Sequence, residues 1–97
     1  MKPLPFTDEL REIARRVIWF EPPEVALGDP VRFLAYAMTR ATAEDMVKIR
    51  KYVPDRELIA ALDAAPPGII DPRSWAYWNL AVAGRHPAPP MPVRRFA

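Results

Sequence analysis

Few side chains in this 97-residue chain could attack a carbonyl, move a proton or hold a metal, and those few are scattered. The one histidine, His86, stands beside Pro87 in a proline-rich tail, where a solvated imidazole is the ordinary outcome. The absence of cysteine removes thiolate nucleophiles, cysteine-held zinc and disulfides. No Gly-rich phosphate loop, Gly-x-Ser-x-Gly elbow or paired His-Glu spacing occurs. The carboxylates stand where helices want them. Asp8, Asp29, Asp55 and Asp71 are cap candidates, and Glu9, Glu44, Asp45 and Glu57 fall in first turns. There the positive helix end favours an acid by about 0.3–1 kcal/mol, so a catalytic carboxylate pair is not needed to explain them. We therefore expect no enzyme, with no catalytic, cofactor-binding or metal-binding residues, and no bound zinc or nucleotide.

The basic cluster Lys48, Arg50, Lys51 and Arg56 flanks Pro54, giving the helix-break-helix outline of a small DNA-binding regulator. The turn lacks the usual glycine, and the second helix offers few side chains able to read bases. A solvated charged face explains the cluster better, and DNA binding stands as the alternative. Trp75, Tyr77 and Trp78 could stack on bases, but the two tryptophans, three apart on an apolar helix, fit a core. Charge distribution argues the same way. Through residue 84, eleven Lys and Arg face twelve Asp and Glu, whereas the last thirteen residues carry three arginines and no acid. A neutral body with a basic tail lacks the dense cationic stripe of a nucleic-acid binder, so nucleic acid is possible but not favoured.

The elements that must position these residues read as short helices cut by prolines and caps. Thr7 or Asp8 opens a first helix to about Ile18, with Leu10, Ile13, Ala14 and Val17 at helical spacing. Glu24 to Leu27 is a single turn ended by Gly28. Asp29-Pro30 starts a helix to about Thr39, and Thr42 with Asp45 resembles a capping box opening another to about Tyr52. Asp55 caps a helix to about Ala64, and Asp71-Pro72 begins the last, closed by Gly84 near Ala83. No segment alternates like a strand. The expected fold is all-α: a single compact bundle of four to five short helices, with Phe33, Leu34, Met38, Met46, Ile49, Leu58, Leu62, Trp75 and Trp78 in its core.

Residues 1–84 form the helical domain, and residues 85–97 form an extended, basic, proline-rich arm that either folds back on the body or reaches a partner. Prolines 87, 89, 90 and 92 exclude helix and favour the polyproline conformation. The arm offers Met91, Val93 and Phe96 as apolar anchors and Arg94 and Arg95 as charge. Trp19 and Phe20, set between the first helix and Pro22-Pro23, offer a second patch. These seven residues are the candidate partner-binding set. The apolar runs are far short of the roughly 20 residues a membrane span needs, no signal core follows Lys2, and cysteine is absent. A cytoplasmic protein without membrane contact is expected.

Four stretches together resemble a family of small bacterial proteins encoded beside nucleotidyltransferase toxins of the abortive-infection type. They are Ile18-Trp19-Phe20-Glu21, the run from Arg32 to Met38, Thr42-Ala43-Glu44-Asp45-Met46 leading to Arg50-Lys51-Tyr52, and Ser74 to Leu80. They lie within the span from Ile18 to Leu80, about two-thirds of the chain, as spaced aromatic and cap positions. The resemblance implies an antitoxin or accessory subunit whose partner is a nucleotidyltransferase toxin that it binds and neutralises.

Overall fold

A computed structural model describes residues 1–93. Its elements are six helices, and no strand occurs among the described residues: α1 (Asp8–Val17), α2 (Pro23–Gly28), α3 (Pro30–Arg40), α4 (Ala43–Arg50), α5 (Asp55–Asp63) and α6 (Pro72–Ala83). The sixth arises because the expected turn at 24–27 takes Pro23 as its first residue and closes as a short helix.

Local chemistry sets each boundary. The Thr7 hydroxyl accepts from the Leu10 amide, with Asp8 and Glu9 in the first turn of α1 and Arg15 and Arg16 in the last, matching the helix dipole at both ends. At α4 the capping box is complete: the Asp45 amide donates to Thr42 Oγ1 at 3.1 Å, and the Thr42 amide donates to Asp45 Oδ2 at 3.2 Å. Asp71 accepts from the Ser74 amide at 2.7 Å, and Gly84, at φ 63°, ends α6 in the left-handed region. Asp55 is a correction. Pro54, extended at φ −67° and ψ 160°, occupies the cap position itself, so Asp55 falls inside α5 and pairs with Arg50 at 2.8 Å.

The central helix is α3, which packs against α1, α2, α5 and α6 and buries Phe33, Leu34, Ala35, Ala37 and Met38. All nine expected core residues are buried. The Trp78 indole donates to the Met38 carbonyl at 3.0 Å, so α6 is held to the end of α3 by a hydrogen bond as well as by apolar area. A clamp absent from the expectations joins α1 to α4. Arg16 donates to both oxygens of Asp45 at 2.6 Å, and Asp45 is only 3% exposed. The guanidinium and the Thr42 amide together hold that carboxyl down at about 2.

Of the two courses open to the proline-rich arm, its first half takes the fold-back: it is fastened to the body. Arg85 pairs with Asp63 at 2.7 Å, and its amide donates to the Asn79 carbonyl at 3.0 Å. The Trp75 indole donates to the Pro89 carbonyl at 2.7 Å, and Ala88 and Met91 pack against the core. A tryptophan buried at the bundle's edge needs a partner for its N–H, and the strap supplies one. No helix among the described residues is long and apolar enough to cross a membrane.

Candidate protein-binding surface

The C-terminus of α1 turns Ile18 into the core, and Pro22 holds the following backbone extended at φ −62° and ψ 146°. Between these two constraints Trp19 and Phe20 are left outside. Trp19 is 74% exposed, far more than a tryptophan ordinarily is in a small domain, and Phe20 and Val25 are exposed as well.

The two rings are not loose. Trp19 meets Phe20 edge-on with centroids 5.5 Å apart, and Phe20 meets Tyr36 of α3 at 5.7 Å. Two arginines lie over Tyr36, Arg32 at 5.4 Å and Arg40 at 4.8 Å, and Arg32 also faces Phe20 at 5.8 Å. Each arginine is anchored in turn. Arg32 is ion-paired with Glu21, which raises its affinity for the proton, and Arg40 donates to the Val17 carbonyl at 3.0 Å. The result is an aromatic platform edged by oriented guanidinium groups. Tyr, Trp and Arg are the residue types that most often carry the energy of protein interfaces, because they contribute large area at low entropic cost.

Of the seven candidate residues, Trp19 and Phe20 lie together on this platform. Met91 is half-buried against the chain's own core, and Val93 is exposed. Arg94, Arg95 and Phe96 lie outside the described residues. Sequence reasoning missed Arg32, Tyr36 and Arg40, although the signal was present. Their spacing of four places all three on one face of α3, beside the stripe of Phe33, Leu34, Ala37 and Met38 that faces the core.

The basic cluster on α4 and α5 is largely compensated. Lys48 lies 3.8 Å from Glu44, Arg50 pairs with Asp55, and Lys51 pairs with Glu9 at 2.7 Å, lowering the Glu9 pKa together with the Tyr52 hydroxyl. Among the described residues, no group of three His, Cys, Asp or Glu could hold a metal ion. Compared with known protein families, curated proteins and solved structures, the chain matches none.

Proposed function

We propose that this chain is a non-catalytic protein-binding module of the cytoplasm, an antitoxin or accessory subunit that binds and neutralises a nucleotidyltransferase-type toxin. The observation that carries the binding role is the platform. Trp19 stays exposed with its ring edge-on to Phe20, and Phe20 in turn meets Tyr36 and Arg32, an aromatic patch with no internal task. The class of partner comes from the sequence resemblance. Within the resembling stretches, Ile18, Phe33, Leu34, Met38, Met46, Trp75 and Trp78 build the core, whereas Trp19 and Phe20 stand outside and are free to recognise a second protein.

The alternative, a DNA-binding regulator built on α4 and α5, has less support, because three of the four cations it would use already face carboxylates. The test is capture of the tagged chain from its native host, followed by assay of the captured protein for nucleotide transfer. A captured nucleotidyltransferase that is inhibited by the chain supports the reading. Capture of DNA alone, released steeply by salt, would favour the alternative.

A further inference from the structure

A second surface lies between α4 and α6, and none of the platform residues lines it. α4 packs on α1, while α6 packs on α3 and α5, and between them opens a groove of about 520 Å³. Met38, Met46 and Trp78 form its buried lining, and Val47 and Tyr77, exposed by 67% and 60%, stand along its lips. Neither lip residue contributes to the core. The Tyr77 ring meets Trp78 edge-on at 5.0 Å, which fixes its position over the groove.

The lining carries two charged side chains among the described residues, and both are arginines: Arg50 from the last turn of α4 and Arg73 from the first turn of α6. Arg50 donates one N–H to Asp55, and a guanidinium has five, so it retains donors for a second carboxylate. A shallow apolar trough lined by methionine adapts to different side chains and suits the apolar stripe of a helix. The α6 residues that line the groove run from Arg73 to Trp78, about 9 Å at 1.5 Å per residue, which seats one to two turns of such a partner. The charges decide its flanks. A basic segment, the chain's own Arg94-Arg95 tail included, meets like charge, whereas an acidic one meets two donors.

We infer that the α4–α6 groove docks an amphipathic helix of a partner protein, its apolar stripe on Met38, Met46 and Trp78 and its flanking carboxylates on Arg50 and Arg73. This rests on the protein-binding reading in kind only, since it uses neither Trp19 nor Phe20.

The four methionines supply the test. Met1 and Met91 lie outside the groove lining and serve as internal controls in the methyl-labelled protein. The probe is a synthetic helical peptide of about 14 residues with leucines on one stripe and flanking glutamates, compared with its glutamate-to-lysine counterpart. The glutamate peptide should saturate below about 1 mM, shift the Met38 and Met46 methyl signals, leave Met1 and Met91 in place, and bind at least tenfold tighter than the lysine peptide. The double variant Arg50→Glu with Arg73→Glu should reverse that order, Val47→Asp should abolish binding, and Trp19→Ala should change nothing. Equal affinity for the two peptides, no binding at 1 mM, or shifts confined to Met1 or Met91 would overturn the proposal. The platform would be untouched by that result.

Discussion

The indole N–H of Trp75 and the carbonyl of Pro89, fourteen residues apart, are joined by a hydrogen bond of 2.7 Å that closes the chain's C-terminal strap over the end of the bundle. Truncation after Gly84 leaves that N–H without its partner, breaks the Arg85–Asp63 pair and uncovers the surface under Met91. The expected loss is about 1–3 kcal/mol, lowering the melting temperature by about 5–15 °C for a domain of this size. Thermal unfolding of the truncated and the full-length chain checks this.

The Asp45 carboxyl, held at about 2 against an ordinary 3.8, makes the fold acid-sensitive in a defined window. The unfolded chain binds this proton more readily than the folded one, so stability rises with pH between about 2 and 4 and is level in this respect above. The contribution is on the order of 1–2 kcal/mol, discounted because the Arg16 side chain is about half in water. Denaturant melts at steps of pH should show the slope in the wild type and a flatter one in Asp45→Asn. An unchanged slope would remove Asp45 as its source.

Trp78 combines packing with a hydrogen bond. Its ring fills the junction of α6 and α3, and its N–H is spent on the Met38 carbonyl, so Trp78→Ala should cost about 3–5 kcal/mol. Trp78→Phe keeps most of the volume and should cost about 1–3 kcal/mol, chiefly through the orphaned carbonyl. Urea unfolding of both variants separates packing from hydrogen bonding.

The helices were legible because their punctuation is chemical. Asp29-Pro30, Thr42 with Asp45, and Asp71-Pro72 each state a boundary in two residues, and the apolar stripes at helical spacing give the core. Asp55 misled because a proline's own extended backbone can serve where a capping side chain was expected. What depends on distant parts of the chain was not legible. The Arg16–Asp45 clamp spans 29 residues, and the strap's hold on Trp75 decides between the two courses that the sequence leaves open for the arm. The platform was half legible. Trp19 and Phe20 stand out in sequence, whereas the spacing of four puts Arg32, Tyr36 and Arg40 on one face of α3 without saying that Phe20 meets that face.

At the platform, stability and binding should separate. Trp19 contributes little to the fold, so Trp19→Ala should change unfolding free energy by less than about 0.5 kcal/mol. Arg40→Ala should cost somewhat more, because it also releases the Val17 carbonyl. Circular dichroism melts of both variants provide the comparison.

The central claim, that Trp19 and Phe20 form the contact through which this chain restrains its partner, is tested most directly by calorimetric titration of the captured partner with wild type and with the double variant Trp19→Ala, Phe20→Ala. The account predicts that the variant keeps the wild-type melting temperature and binds at least tenfold more weakly, a loss of about 1.4 kcal/mol or more. Equal affinity in a variant that is fully folded would contradict it.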